Sequence, residues 1–151
     1  MKTLKIQPIK NGTVIDHIDP GCALKVLRIL KIPEEKKESI VSAVMNVKGK
    51  RRRKDIVKIE DRELDTDEVD KIALLAPHAT INIIRDYKVV EKHLVTVPDE
   101  ITDIVKCANP NCISNAREHI SSRFVLKSRA PIRIRCFYCG REPEDIASRI
   151  I

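Results

Sequence analysis

Four of the five cysteines fall in two tight pairs near one end of the chain. Cys107 and Cys112 bracket the polar loop of KCANPNCISN, and Cys136 and Cys139 stand three apart in RCFYCG. Thiolates are soft ligands, and zinc takes four of them tetrahedrally, leaving no open position for water or substrate. Each pair lies on one turn, and the 23 residues between the pairs have room for two antiparallel strands. Two loops therefore converge on one ion, and the ion folds a domain rather than catalyses. Disulfides are the other chemistry open to paired cysteines. The N-terminal MKTLKIQPIKNG lacks an apolar run followed by small residues, and no stretch approaches the ~20 apolar residues of a membrane span. The expected compartment is thus the reducing cytoplasm, with no membrane, and it favours metal over disulfides.

Other residue types that could do chemistry are sparse. His17 neighbours Asp16 in VIDHID, but adjacent strand residues face opposite ways and no nucleophile accompanies them, so a structural histidine is expected. His78, His93 and His119 lack ligand spacing. The four glycines form no phosphate loop, and neither G-x-S-x-G nor H-E-x-x-H occurs. The basic run KGKRRRK, Lys48 to Lys54, reads as a solvated hairpin tip, without the neighbouring aromatics that single-strand binders use. The net charge of +7 permits a nucleic acid, a nucleotide or an acidic protein as partner. From Ile104 onward nine Lys/Arg face four Asp/Glu, and four thiolates with one Zn²⁺ would cancel part of that excess.

These side chains must be positioned by elements that are mostly aliphatic, because aromatics make up only 3% of the chain. Its 151 residues suit one ordinary domain or two small ones. LKIQPIKNGTVIDHI suggests a hairpin turning at Asn11-Gly12, with Pro8 at an edge. In DPGCALKVLRILKI, Asp19 is the expected helix cap and Pro20 the first helical residue, with Ala23, Leu24, Val26, Leu27 and Leu30 as the apolar face. Cys22 reads as a small buried hydrophobe. ESIVSAVMNV and DIVKIED form a strand pair, LDTDEVDKIALLAP a helix with an Asp65/Glu68 capping box, and ATINIIRDYKVVEKHLVTV one or two more strands. Strand, helix, two strands, helix, strand is the split βαβ order, so the fold class is α+β: a ferredoxin-like sandwich followed by a small zinc-ribbon-like β domain. TVPDEITD holds the boundary, giving domains 1–98 and 99–151. Below about 60 residues a domain often needs a metal.

Taken together, GTVIDHI, RKDIVKIE, LAPHATIN with YKVV.K, NCIS and the cysteine spacing closely resemble the aspartate carbamoyltransferase regulatory chain family, over almost the whole length and in one register. The resemblance implies a non-catalytic subunit of pyrimidine biosynthesis whose N-terminal domain binds the nucleotide effectors ATP, CTP and UTP and pairs with a second regulatory chain. It implies an effector site of Ile9, Asp16, His17, Lys58, Asn82, Ile84, Tyr87, Val89 and Lys92, which reverses the structural reading of His17. Lys58 and Lys92 can neutralise phosphates, Asn82 can bond a base edge or ribose, and Asp16 can accept from ribose hydroxyls. The chain departs from the family pattern at Gln7 and Pro8, and Pro8 offers no N–H at the expected base-binding edge. The zinc domain, with Asn109, Asn111 and Arg141, is implied to dock on the catalytic chain, in an expected dodecamer of six catalytic and six regulatory chains. A zinc-ribbon protein that binds nucleic acid is the alternative function, favoured by net charge and the basic run.

Overall fold

The computed structural model describes residues 8–32, 39–116 and 119–151. They fall into two compact units, Met1–Val95 and Thr96–Ile151.

The first unit runs β1 (Gly12–Ile18), α1 (Ala23–Ile29), β2 (Val41–Lys48), β3 (Arg53–Glu60), α2 (Thr66–Leu75), β4 (Thr80–Arg85) and β5 (Lys88–Leu94). Its sheet has the order β2-β3-β1-β4-β5, antiparallel throughout. That is the ferredoxin-like arrangement with β5 added at one edge. Alternation sorts the sheet's two faces. Ile15, Val57, Ile59 and Ile81 turn inward with Val26 and Ile72 from the helices and Leu30 just after α1 to make an aliphatic core. Val14, Lys58 and Asn82 turn to the other, half-exposed face. Asp65 caps α2 through the capping box with Glu68, as the D-x-x-E spacing predicts.

α1 starts differently from the sequence expectation. Asp19-Pro20-Gly21-Cys22 closes a turn, with Cys22 N–H donating to the Asp19 carbonyl at 3.0 Å and Gly21 at φ 90°. Proline followed by a glycine at positive φ is the signature of a type II turn, so Pro20 precedes the helix instead of opening it. The capping acceptor is Asp55 of β3, whose Oδ2 accepts from Gly21 N–H (2.9 Å) and Ala23 N–H (3.1 Å). Asp19 pairs instead with Arg52 at 2.9 Å. Leu24, expected on the apolar face, is exposed, and Cys22 is half-buried at the helix start.

The Asn-Gly expectation also changes. Gly12 opens β1 at φ 140°, and a Cβ there would lie 2.1 Å from the Ile59 carbonyl oxygen, so the glycine answers close strand approach. The residues before it in the expected hairpin, 1–7 with Gln7 among them, lie outside the described residues, as does Glu38. In this unit a two-residue hairpin instead joins β4 to β5 through Asp86 and Tyr87, both at positive φ (52° and 64°). Tyr87 N–H donates to the Lys10 carbonyl at 2.9 Å, holding this turn.

The second unit has a three-stranded sheet of β6 (Glu100–Thr102), β7 (Arg123–Arg129) and β8 (Ile132–Cys136), in that order, with a short helix α3 (Ile113–Ala116). Its core is small: Val97, Ile101, Ile104, Val105, Phe124 and Ile134, completed by buried Cys107, Cys112 and Cys136.

Candidate metal centre and effector face

The cysteine loops are built to converge. Cys112 N–H donates to the Asn109 carbonyl at 3.0 Å, and the Asn115 amide donates to the carbonyls of Cys107 (2.9 Å) and Asn109 (2.7 Å), closing the first loop. The Asn111 N–H bonds the Asn109 side chain at 3.0 Å. The second loop leaves β8 at Cys136 and turns through Gly140, at φ 77°, whose N–H donates to the Cys136 carbonyl at 3.0 Å. Cys136 N–H donates to the Arg141 carbonyl at 2.9 Å. All four sulfurs lie within 4.8 Å of one another, with 3.5 Å between Cys107 and Cys139 and 3.7 Å between Cys112 and Cys136. Sulfurs about 2.3 Å from a shared ion stand about 3.8 Å apart in a tetrahedron. No disulfide joins them. The geometry therefore fits a closed four-thiolate metal site.

The thiols differ in their surroundings. Burial pushes the Cys107 thiol up to about 12. Burial also raises Cys136, against opposing N–H groups of Cys139 and Tyr138. At Cys139 burial acts upward too, but the Arg141 N–H and the neighbouring Cys107 and Asn109 outweigh it and hold the thiol near 7. A divalent cation bound between these sulfurs would supply the charge that makes four thiolates compatible. Beside the site, Phe137 and Tyr138 are exposed and meet edge to face at 5.3 Å, with the Arg123 guanidinium 4.2 Å over the Phe137 ring.

In the first unit, register gathers the residues implied as an effector site. Lys58, Val14, Asn82 and Lys92 form one transverse row across β3, β1, β4 and β5. Cross-strand partners share a face, so Lys58, Asn82 and Lys92 point to the same side. Ile84 and Val89 form the next row. Val89 reaches that side only because one extra residue, Val90, bulges β5 between Glu91 and Val89. Burial lowers the Lys58 ammonium from its ordinary value. Tyr87 sits at the adjoining turn, and Ile9 is buried ahead of β1.

A bulge also brings Asp16 and His17 together. β1 carries one residue more than β3 between Ile15 and Ile18, and His17 adopts φ 57°. Strict alternation would have separated the two side chains. Instead both line one cavity of about 570 Å³ with Lys92 and with Gly49, Lys50, Arg51, Arg52 and Lys54. The imidazole Nδ1 lies 3.2 Å from Thr80 Oγ1, and Asp16 pairs with Lys54 at 2.9 Å. Lys58, Asn82, Ile84, Tyr87, Val89 and Ile9 do not line this cavity; they continue from it by register. The basic run is an exposed hairpin tip, as expected, and its Lys50, Arg51, Arg52 and Lys54 also form one wall of this cavity.

Sequence reasoning missed two residues here. Asp55 stands at the inward positions of β3 with Val57 and Ile59, so an acid in the core-facing alternation was the available signal. Lys54 stood out only as the end of the basic run, and the pairing of β3 with β1 is what places it against Asp16.

The chain thus joins a ferredoxin-like domain with a half-exposed polar face to a unit whose four clustered cysteines could hold a metal ion. The model of the aspartate carbamoyltransferase regulatory chain, allosteric domain, matches residues 4–96, and that of its metal binding domain matches residues 99–147. The chain belongs to the aspartate carbamoyltransferase regulatory chain family. Regulatory chains of Methanosphaera stadtmanae and Methanothrix thermoacetophila are 51% and 55% identical to it, over 97% and 93% of this chain and 96% and 91% of theirs. That of Pyrococcus abyssi is 53% identical over 96% of this chain and 95% of its own. Family and site together set aside the zinc-ribbon nucleic-acid reading. No described helix is long and apolar enough to cross a membrane.

Proposed function

We propose that residues 1–98 bind the nucleotide effectors ATP, CTP and UTP, and that residues 99–151 hold one zinc ion and dock on aspartate carbamoyltransferase catalytic chains in the cytoplasm. The observation that carries the effector reading is the transverse row of Lys58, Asn82 and Lys92, which ends beside the cavity of Asp16 and His17. Two cations and one amide on a half-exposed face suit a phosphorylated, hydrogen-bonding ligand. Zinc is supported by four thiol donors at tetrahedral spacing with no oxygen or nitrogen ligand among them. The metal fixes the loop of Asn109 and Asn111, with Phe137, Tyr138 and Arg141 on the neighbouring loop, as the docking surface. The assembly is six catalytic with six regulatory chains, the latter paired through their first domains.

The test is to mix the chain with catalytic trimers and titrate ATP and CTP while following the aspartate dependence of the rate. Nucleotide should shift that dependence only when the chain is present. Lys58→Ala and Lys92→Ala should each weaken triphosphate binding by about 1.5–3 kcal/mol, the range for hydrogen bonds to charged groups. Unchanged calorimetric affinity in both variants would place the site elsewhere.

A further inference from the structure

We propose that the hairpin tip between β2 and β3 reads the length of the phosphate chain, with Lys50 and Arg51 taking the terminal phosphate of a bound nucleoside triphosphate. This rests on the effector-site reading above and extends it to residues outside that site.

The tip is a built structure. Gly49 N–H donates to the Arg52 carbonyl at 3.0 Å, and a Cβ at Gly49 would approach that oxygen to 2.6 Å. Three of its basic residues already have partners. Arg53 Nη1 donates to the Asn46 carbonyl at 2.9 Å, Arg52 pairs with Asp19 at 2.9 Å, and Lys54 pairs with Asp16 at 2.9 Å. These bonds anchor the tip to β2, to the turn before α1 and to β1. Lys50 and Arg51 have no hydrogen-bond or ion-pair partner among the described residues. They line the same cavity as Lys92, which also has none.

Charge then decides the ligand. The cavity is lined by five cations and a single carboxylate, Asp16, which Lys54 already answers. Three cations are left over, one on β5 and two at the tip. Within the cavity, a phosphate chain that starts at Lys92 meets uncommitted positive charge at Lys50 and Arg51. Each added phosphate brings negative charge, and a guanidinium beside an ammonium offers both a bidentate fork and a point charge for its oxygens. A monophosphate ends before reaching them. No Phe, Tyr or Trp lines the cavity, so the His17 imidazole is the single ring there on which a base of a nucleic-acid strand could stack.

The experiment is calorimetry of the full chain with the mono-, di- and triphosphates of adenosine and cytidine, in wild type and in the double variant Lys50→Ala/Arg51→Ala. Wild-type affinity should climb with each phosphate. The double variant should lose about tenfold or more for triphosphates, the effect of at least one charge-assisted bond, and nothing for monophosphates. Equal losses for mono- and triphosphates, or no loss, would overturn the proposal while leaving the effector site standing. Absence of nucleotide binding in the wild type would overturn both. A single-stranded DNA oligonucleotide serves as the competing probe. If the double variant loses affinity for it but keeps its triphosphate affinity, the tip belongs to nucleic acid and the proposal fails.

Discussion

At the scale of single residues, Asp55 ties together more of the first unit than any site residue does. It is fully buried, and its carboxylate accepts from the N–H groups of Gly21, Ala23 and Asn46 at 2.9, 3.1 and 2.7 Å. Two of those donors start α1 and the third lies in the bulge of β2, where Asn46 adopts φ 60°. A buried ion is tolerated when its lone pairs are met by several N–H groups, and its removal strands the donors. Asp55→Ala should therefore destabilise the N-terminal unit by about 3 kcal/mol or more, and Asp55→Asn, which keeps one acceptor oxygen, by less. Urea unfolding followed by circular dichroism would measure this, and a change below about 1 kcal/mol would show that water replaces the carboxylate. The cysteines make the contrasting case. Their identity and spacing announced their role, because a metal demands particular atoms on short loops. Asp55 announced little, because its three partners are brought to it by register.

Elements carry the next lesson, and Gly12 is its sharpest case. β1 lies between β3 and β4, and its first residue faces the Ile59 carbonyl so closely that no side chain fits. Gly12→Ala combines a disfavoured positive φ with an overlap against backbone, and should cost about 3 kcal/mol or more. The thermal midpoint of the N-terminal unit checks this; a variant as stable as wild type would mean that β1 enters the sheet differently. The element order was legible in the sequence because hydrophobic period, capping box and proline breaks are local signals. The bulges were not. One extra residue at Asp16–His17, another at Met45–Asn46 and a third at Val90 each reverse which face the following side chains take. Strict alternation put Asp16 and His17 on opposite faces, and the bulge puts both at one cavity. The same limit hid the start of α1. Asp-Pro before an apolar run satisfies a helix-start pattern, yet Gly21 makes it a turn and passes the capping to a residue 34 positions away.

For the whole molecule, the two units depend on different forces. The first has an aliphatic core of its own, whereas the second has few buried side chains and spends three cysteines among them. Metal binding to small zinc domains contributes about 10–16 kcal/mol, more than such a core can replace. Stripping the ion with a mercurial, or Cys139→Ser, should unfold the Thr96–Ile151 unit and leave the Met1–Val95 unit folded and able to bind nucleotide. Association with catalytic trimers should vanish, and every effector response with it, while the trimers keep their activity. Size-exclusion chromatography of the metal-free chain with trimers decides the matter: continued co-elution would remove docking from the metal domain.

The row of Lys58, Val14, Asn82 and Lys92 has a dynamic counterpart. β5 is exposed along its whole length and is held to the sheet through β4 alone. A nucleotide gripped by Lys92 at that edge and by Lys58 three strands inward would act as a splint across β4 and β1 between them. Amide hydrogens of β5 should be among the fastest-exchanging of the sheet in the free chain, because an edge strand opens without the rest. Where opening breaks the splint, a ligand at 100 times its dissociation constant should slow their exchange by about 100-fold, the mass-action limit for a state that binds only when closed. Deuterium uptake by the peptide spanning residues 88–94, measured with and without triphosphate, would show whether the loose edge of this sheet is the part that senses the nucleotide.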